Sequence, residues 1–303
     1  MQIVIVGAGA MGSLVGGLLS RAGNDVTLVD IRQDVVDAIR NDGVTVLEPD
    51  GSEFTVHPAA TTEPTSLDAP DAVLLFVKST ATEAALDDIA DFAGPDTLVA
   101  TLQNGLPNYD AIRSALGDER ALGGYSTFGA TLEAPGRVDF AGRGENVLGG
   151  RDYDGAKRLA QTLSEADLPT EAVEDPRPHI WHKQFVNVAI KPPAVLTGLP
   201  DGPLWETDAT RRVMELLVEE AVAVAEARGV DVLGDPMKTV ETACMENYDK
   251  KSSMLIDIER GRQTEIDAIT GAVVEYGEEV GEPVPYNRLA TLLVKGREAA
   301  LTE

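Results

Sequence analysis

The hydrophobic positions in the first half of the chain form short runs that alternate with segments of helical spacing. Runs of Val, Ile, Leu and Ala predict strands over 3–6, 26–29, 72–77 and 98–102, whereas segments such as 81–90 carry apolar residues at a helical period. Strands that alternate with helices in this way are typical of a doubly wound parallel sheet. The first half is therefore predicted to be an α/β domain.

Weaker strand signals lie within and after this pattern. Segments 44–47 and 54–57, joined through Pro49-Asp50-Gly51-Ser52, predict a hairpin inserted after the second helix as an edge decoration. Three short strands that would extend the sheet are predicted at 126–132, 137–140 and 146–148. A further helix is predicted at 153–165.

The strand signals stop after 171–173, where Asp175-Pro176-Arg177-Pro178 marks a break with a helix start just beyond it. We place the domain boundary there, with a parallel-sheet domain over 1–174 and an all-α domain over 175–303. The reaction site is expected in the cleft between them. The helices predicted from spacing in the second domain are 207–228, 236–245, 252–260, 264–279 and 285–301.

The composition is typical of a soluble globular protein. Of the 303 residues 43% are hydrophobic and 5% aromatic, which suffices for two packed domains. No apolar run approaches the ~20 residues of a membrane span, and the first predicted strand leaves no room for a signal peptide. The single cysteine, Cys244, cannot form an intramolecular disulfide. We therefore expect a cytoplasmic protein in which Cys244 is a small core residue.

The charge balance is strongly acidic, with 51 acidic and 25 basic residues and a formal net charge of −26. A field of this sign repels nucleic acid and anionic membranes, so both are excluded as partners. It would also repel an anionic cofactor or substrate, unless salt shortens the Debye length toward ~3 Å at ~1 M. We infer a halophilic protein, with a merely acidic mesophilic protein as the alternative.

A glycine-rich segment directly follows the first strand and leads into a helix: Gly7, Ala8, Gly9, Ala10, Met11 and Gly12. Glycines at this spacing permit a tight turn, a close approach of backbone to pyrophosphate and close packing of helix on strand. Asp30 ends the second strand, where an acid that binds ribose is expected. The segment predicts a Rossmann-type dinucleotide site, with a purely structural turn as the alternative.

Candidate polar residues recur in the second half. Lys183, Asn187 and Lys191 are spaced i, i+4 and i+8 and share a helix face among apolar neighbours, where a desolvated lysine could act as a general acid. The alternative is a stripe that faces water. Gln103-Asn104-Gly105 follows a strand, where open α/β sheets bind ligands. Ser252-Ser253-Met254 and Glu265 could equally be ordinary helix caps and a first-turn acid.

Together these segments resemble the ketopantoate reductase (2-dehydropantoate 2-reductase) family along essentially the whole chain. The resemblance is carried by the glycine segment and by motifs in matching order: Val77-Lys78, Gln103-Asn104-Gly105, Pro135-Gly136-Arg137-Val138, Trp181-His182-Lys183 with Asn187, Ser252-Ser253-Met254-Leu255, Asp257, Gly261-Arg262 and Thr264-Glu265-Ile266-Asp267.

The resemblance implies that a hydride from reduced nicotinamide is added to the C2 ketone of a 2-keto acid in pantothenate and coenzyme A biosynthesis. Lys183 would be the proton donor. Asn104 would lie between nicotinamide and substrate, Asn187 would bind a substrate oxygen, Ser253 would hold the carboxylate, and Glu265 would contact the cofactor and orient the lysine. The further cofactor contacts implied are Lys78 and Ala130.

Two residues depart from the family pattern. The family commonly has asparagine where this chain has Lys191 and Asp201. If both face the cleft, they could bridge each other and preserve the substrate pocket, and Lys191 could attract a carboxylate. Alternatively, the substrate differs. Pro192 disfavours helical geometry at Lys191, so its direction does not follow from spacing alone.

Several functional questions stay open at this point. Asp30 favours NAD, whereas the family usually prefers NADP with a basic residue nearby, here Arg32. Alternatives to a ketopantoate reductase are a reductase of another 2-keto acid with the same plan and a dinucleotide sensor without turnover. No metal is expected, because the three histidines do not form a ligand set with Cys244. A homodimer is an expectation that no sequence pattern supports.

The acidic composition generates a first prediction. The melting temperature should rise as sodium chloride is increased from about 0.1 M to about 1 M, because screening weakens the repulsion among acidic groups. Thermal unfolding followed by circular dichroism across a salt series measures this. A melting temperature indifferent to molar salt would contradict the halophilic interpretation.

Overall fold

The computed structural model describes residues 1–301, and its internal contacts divide the chain into two compact units. Unit 1 comprises Met1–Gln103 and Asn108–Pro176. Unit 2 comprises the segment Asn104–Pro107 and the chain from Arg177 onward. The division falls two residues beyond the predicted boundary, and nothing in the sequence pattern singled out Asn104–Pro107 as part of the helical unit.

Unit 1 alternates strands and helices. In chain order its elements are β1 (Gln2–Val6), α1 (Ala10–Arg21), β2 (Asp25–Val29), α2 (Gln33–Asp42), β3 (Val44–Leu47), β4 (Glu53–Val56), β5 (Ala59–Thr61), β6 (Ala72–Leu75), α3 (Thr82–Phe92), β7 (Leu98–Thr101), α4 (Pro107–Leu116), β8 (Ala121–Ser126), β9 (Gly129–Ala134), β10 (Arg137–Gly142), β11 (Asn146–Gly150), α5 (Tyr153–Glu165) and β12 (Thr170–Val173). Short 3-10 turns cover Pro64–Ser66 and Ser79–Ala81.

Eight of these strands form the main sheet in the order β12-β11-β8-β7-β6-β1-β2-β5. All neighbours are parallel except β8 and β11. The central strands β1, β6 and β7 are buried on both faces, which explains why the sequence shows them as continuous apolar runs. The predicted α/β class and its four parallel strands are confirmed, with ends that differ by one or two residues.

The remaining strands correct the prediction. The hairpin β3–β4 does not decorate the edge of the main sheet, because β3 pairs in parallel with β10 in a separate sheet of order β4-β3-β10-β9. The single strand expected at 126–132 is two strands, β8 and β9, which belong to different sheets. Of the three strands expected to extend the main sheet, β11 does so and β10 does not. Periodicity does not encode which sheet a strand joins.

Helix α1 lies against both sheets, and glycines make that possible. A Cβ on Gly16 would lie 3.0 Å from Leu28 of the main sheet, and one on Gly17 would lie 2.8 Å from Val46 of the second sheet. The missing side chains therefore let the helix approach on two sides at once. This packing positions the start of α1 at the end of β1.

Unit 2 is helical. Its helices are α6 (Arg177–Thr197), α7 (Asp201–Glu206), α8 (Asp208–Ala227), α9 (Pro236–Glu246), α10 (Ser253–Glu259), α11 (Thr270–Val280) and α12 (Pro285–Ala299), with a 3-10 turn at Ile266–Ala268. Helix α6 packs against α8, α9, α10 and α12, and its Phe185 and Val188 are fully buried in the core. Within residues 1–301 no helix is long and apolar enough to cross a membrane.

One helical prediction was wrong in detail, and one open question is answered. The helix expected over 264–279 is broken at Ile269, whose φ and ψ are −103° and −98°, and whose carbonyl accepts a bond from Gln184 Nε2 at 2.9 Å. Helix α6 continues through Lys191 into Pro192 and Pro193, although a following proline disfavours helical geometry. Packing on several sides outweighs this local preference.

The glycine-rich turn generates a prediction on stability. A Cβ on Gly12 would overlap the carbonyl oxygen of Gly7, whereas no atom beyond the chain neighbours lies within 4 Å of a Cβ on Gly9. We expect Gly12→Ala to cost about 1–3 kcal/mol and lower the melting temperature by several degrees. Gly9→Ala is the matched control and should leave thermal unfolding nearly unchanged. Equal melting temperatures for the two variants would contradict this account of the turn.

Candidate active site

The carboxyl ends of β1, β6 and β7 meet at one edge of the main sheet. Gly7 leaves β1 there with a φ of +102°, and a Cβ on it would lie 2.8 Å from the carbonyl of Phe76, just past β6. Gln103, after β7, donates from Nε2 to the carbonyl oxygen of Val77. The direction of the strand order reverses at β1, which is where open α/β sheets bind ligands.

The first turn of α1 offers an open backbone. Gly9 is the N-cap residue, and no side chain there accepts a hydrogen bond from the helix. The space beside Gly9 is empty where a Cβ would stand. N–H groups without a side-chain cap, at the positive end of a twelve-residue helix, fit the pyrophosphate of a dinucleotide.

Asp30 follows β2 and reaches back to this turn. Its Oδ2 accepts a bond from the backbone N–H of Ala8 at 3.0 Å. Its Oδ1 accepts from the backbone N–H of Arg32 at 3.0 Å and from Arg32 Nε at 3.3 Å. The predicted ribose-binding acid therefore also holds the glycine turn. Lys78 is exposed after β6, at the same edge, whereas Ala130 lies on β9 in the second sheet and is partly buried.

In unit 2, the continuous helix α6 places Lys183, Asn187 and Lys191 on one face. Asn187 and Lys191 are 4% and 8% exposed, and Lys183 is partly buried. This face is therefore not a stripe that faces water, and the polar groups on it are removed from solvent.

Burial has a strong effect on Lys183. Desolvation is the largest cause that lowers the pKa of its ammonium group to about 8, and the positive charges of Lys191 and Lys250 lower it further. The carboxylate of Asp201 acts in the opposite direction. A lysine with a pKa near neutrality can release and regain a proton under physiological conditions.

Lys191 and Asp201 are subject to the same desolvation. It lowers the pKa of Lys191, an effect opposed by the carboxylates of Glu265, Asp257 and Asp201. It raises the pKa of Asp201 to about 6, an effect opposed by the neighbouring lysines. In the described part of the chain no ion pair within 4 Å joins Lys191 to Asp201, so the direct bridge considered from the sequence is absent. The two groups act on each other through space.

The loop after α9 fixes the position of Asp201. The backbone N–H of Asp201 donates to the carbonyl of Lys250 at 3.0 Å, and that of Gly202 donates to the carbonyl of Tyr248 at 2.9 Å. Any side chain on Gly202 would overlap the Tyr248 ring. Glycine is thus required for α7 to begin against this loop.

Four buried side-chain atoms of unit 2 have no hydrogen-bond partner: Oε1 of Gln184, Nδ2 of Asn187, Oδ1 of Asp201 and Oδ1 of Asn287. Of these, the Asn187 donor lies on the face of α6 that carries the lysines, and the Asp201 acceptor lies at the start of α7, which packs against α6. Buried polar atoms are nearly always paired in folded proteins, because an unpaired one costs about 1–3 kcal/mol. An unpaired donor and an unpaired acceptor in one unit suit a ligand that can both donate and accept.

The segment Asn104–Pro107 packs on the chain that follows Glu265. The backbone N–H of Leu106 donates to the carbonyl of Ala268 at 3.2 Å, and a Cβ on Gly105 would lie 2.7 Å from the same residue. Ala268 in turn donates to the carbonyl of Glu265 at 3.0 Å. Unit 2 therefore brings Asn104 and Glu265, both half-buried, into neighbouring segments.

The two serines at the start of α10 differ. Ser252 is buried, and its Oγ accepts from the backbone N–H of Leu255 at 3.3 Å, so it is a helix cap. Ser253 is exposed at the first helical position. The cap interpretation is thus right for Ser252 alone.

The comparison with known proteins decides the family. The sequence profile of ketopantoate reductase PanE/ApbA matches residues 3–152, and the profile of its C-terminal region matches residues 175–298. The chain belongs to the ketopantoate reductase family. The 2-dehydropantoate 2-reductase of Pyrococcus horikoshii is 35% identical over 99% of this chain and 98% of its own, and that of Halobacterium salinarum is 33% identical over 97% and 98%.

Solved structures agree with this family. A PanE/ApbA family ketopantoate reductase from Ralstonia eutropha superposes with a TM-score of 0.91 at 32% identity, and each chain is covered completely. D-mandelate dehydrogenase in a ternary structure with NADH and anilino(oxo)acetate reaches a TM-score of 0.92 at 30% identity, also with complete coverage. The family therefore contains oxidoreductases, and this chain is one of them.

The sequence analysis of this family member missed Lys250 and Tyr248. Lys250 contributes a positive charge that acts on both Lys183 and Asp201, and Tyr248 fixes the start of α7. The only available signal was their position just before the Ser252-Ser253 motif. Their role depends on the contact between this loop and α7, which no periodicity reveals.

The electrostatic coupling of Lys183 to Lys191 and Asp201 predicts that two substitutions shift the pKa of Lys183 in opposite directions. Lys191→Met should raise the pKa of Lys183, because it removes a neighbouring positive charge, and Asp201→Asn should lower that pKa, because it removes a negative one. The pH dependence of Lys183 acetylation, followed by peptide mass spectrometry, measures both shifts. Lys251→Met is the matched control, since Lys251 pairs with Glu259 outside this group. Shifts of the same sign in the first two variants would refute the coupling.

Proposed function

We propose that this chain catalyses the NAD(P)H-dependent reduction of 2-dehydropantoate to pantoate, with Lys183 as the proton donor. The observation that carries the proposal is the face of α6, where Lys183 has a pKa of about 8 and the unpaired amide nitrogen of Asn187 lies one turn further along the same face. Family membership supports the reaction class, and the names of the relatives supply the substrate.

The residues that would hold the dinucleotide are the glycine turn, Asp30, Arg32, Lys78, Asn104, Ala130 and Glu265. The open backbone at Gly9 and the uncapped first turn of α1 fit such a group. When bound, the reduced nicotinamide supplies the hydride that reaches C2 of the keto acid. The glycine turn would bind and orient the dinucleotide, and it takes no part in proton transfer.

Lys183 supplies the proton that completes the alcohol. As the C2 carbonyl receives a hydride, its oxygen gains negative charge, which the ammonium group at Nζ stabilises and then neutralises by proton transfer. The lysine is left neutral and regains a proton from solvent. Because burial lowers its pKa to about 8, the proton is given up more readily than from an exposed lysine.

The other polar groups would position the substrate. Nδ2 of Asn187 donates to a substrate oxygen, and Oδ1 of Asp201 accepts from the hydroxyl group of ketopantoate, so that both orphaned atoms gain partners. Lys191 attracts the negative charge of the keto acid. Ser253 holds the carboxylate, and Glu265 orients Lys183 and contacts the cofactor.

A second candidate is the reduction of another 2-keto acid. It is favoured by Lys191, a buried ammonium group where the family resemblance implies an asparagine. D-mandelate dehydrogenase, with a similar fold, supports a wider substrate range within this plan. Turnover of ketopantoate compared with benzoylformate, the keto acid of mandelate, separates the two candidates. A dinucleotide sensor without turnover needs no buried proton donor, and ketopantoate-dependent oxidation of the reductant would exclude it.

We also propose that the enzyme is cytoplasmic and adapted to high salt. The single buried cysteine and the net charge of −26 support these two points. A homodimer stays an expectation.

Removal of the proposed donor tests the mechanism. Lys183→Ala should lower kcat by about 10²–10⁴-fold and leave dinucleotide affinity unchanged, because the ammonium group acts on the developing oxyanion. Lys238→Ala, at a lysine 69% exposed on α9, is the matched control and should retain full activity. In the unmodified enzyme, kcat/KM should fall as pH rises through about 8, where Lys183 loses its proton. Full turnover by Lys183→Ala would overturn the mechanism.

A further inference from the structure

We propose that this enzyme also reduces 2-keto acids that carry a second carboxylate, and that Lys250 binds this second group. The inference rests on the proposed function, because it concerns the substrates of the same site. It is carried by three lysines of unit 2 that lack a close acidic partner, and by the position of Lys250 beside the start of α7.

Four lysines of this acidic chain are neutralised by a nearby acid. Each forms an ion pair with a carboxylate at 2.5–2.7 Å: Lys157, Lys238, Lys251 and Lys295. By contrast, Lys183, Lys191 and Lys250 form no ion pair within 4 Å among residues 1–301. Because the chain has 51 acidic and only 25 basic residues, three unpaired ammonium groups in one unit set this region apart.

The three unpaired lysines act on one another through Lys183. The charges of Lys191 and Lys250 both lower the pKa of Lys183, and the carboxylate of Asp201 opposes them. Lys183 therefore has two positive neighbours and one negative neighbour. An excess of positive charge around the proposed proton donor would attract an anion, although the protein as a whole repels one.

Backbone hydrogen bonds fix Lys250 next to Asp201. The carbonyl oxygen of Lys250 accepts from the backbone N–H of Asp201 at 3.0 Å, and its own N–H donates to the carbonyl of Asn247 at 2.8 Å. The side chain of Lys250 is exposed, whereas Lys191 is 8% exposed. An exposed ammonium group on a flexible four-carbon stem can adapt to ligands of different length, which a buried one cannot.

The proposed reduction of ketopantoate leaves Lys250 without a role. The one carboxylate common to all 2-keto acids is assigned to Ser253, with Lys191 attracting its charge. Ketopantoate has no second anionic group, so Lys250 would stay unpaired in that complex. A carboxylate at the far end of the substrate would pair with Lys250, and such a charge-assisted hydrogen bond is stronger than one between neutral groups.

The chemical step is the same for substrates with one or two carboxylates. A hydride from the reduced nicotinamide reaches C2, the carbonyl π bond opens, and Lys183 gives its proton to the oxygen. The products are a 2-hydroxy acid, with its second carboxylate intact, and the oxidised dinucleotide. Lys250 binds the substrate without exchanging a proton or electrons.

Matched pairs of substrates test this inference. Initial rates give kcat/KM for 2-oxoglutarate against 2-oxopentanoate and for 2-oxoadipate against 2-oxohexanoate, with ketopantoate as the reference. The reductant is saturating, and salt is the lowest that keeps the enzyme folded. The members of each pair have the same number of carbons and differ in the terminal carboxylate. We expect at least one dicarboxylate to exceed its partner by about fivefold, the contribution of one exposed ion pair.

Substitutions at Lys250 measure its contribution to this ratio. Lys250→Gln should remove the preference for the dicarboxylate, whereas Lys250→Arg should keep it because the charge is kept. Lys251→Gln is the matched control and should leave the ratio unchanged, since the neighbouring Lys251 is also exposed and already pairs with Glu259. A shift in the pKa of Lys183 cancels in the ratio, because both substrates use the same proton donor.

Salt provides a second readout that a merely structural role of Lys250 would not affect. Added sodium chloride should lower the ratio of the unmodified enzyme toward that of Lys250→Gln, because exposed charges are screened.

The outcomes separate this inference from the proposed function. Turnover of ketopantoate without a preference for either dicarboxylate, or a preference that persists in Lys250→Gln, would overturn the inference and leave the proposed function intact. Turnover of the dicarboxylates but not of ketopantoate would support the inference and refute ketopantoate as the substrate. Turnover of none of these keto acids would refute both.

Discussion

The desolvation of charged groups along α6 is the constraint on which the candidate site depends. The helix packs against five other helices, so Asn187 and Lys191 are buried and Lys183, on the same face, is partly removed from water. An ammonium group removed from water loses hydration energy and becomes a better proton donor. The packing of unit 2 and its acid–base chemistry are therefore consequences of one arrangement.

The same burial requires compensation, and only part of it comes from the protein. Acidic groups of Asp201, Asp257 and Glu265 oppose the loss of charge on Lys191, yet no close ion pair ties Lys191 to Asp201. A charge network held at a distance leaves unpaired polar atoms that a ligand can contact. It also creates a local cluster of lysines in a protein with a net charge of −26, which suits an anionic keto acid.

In unit 1 the main constraint is the close approach of backbone to backbone at the turn between β1 and α1. Gly7 and Gly12 pack the β1–α1 turn so tightly that side chains would overlap, while Gly9 faces open space. Asp30 then ties the turn to the end of β2 through Ala8. One carboxylate thus holds the glycine turn and also stands where the proposed dinucleotide would place its ribose.

The sequence by itself determined the α/β and helical classes, the central parallel strands, the glycine turn and the family. These features depend on local periodicity, backbone freedom and motif spacing, which the linear order of residues contains. Tertiary structure alone decided that β3 joins β10 in a second sheet, that Asn104–Pro107 packs with the helical unit, and that α6 passes through Pro192. It also decided the contacts of Lys250 and Tyr248 with the start of α7, and the hydrogen bonds from Arg32 to Asp30. Such features depend on which distant segments meet and how far they exclude water, and no local pattern carries that information.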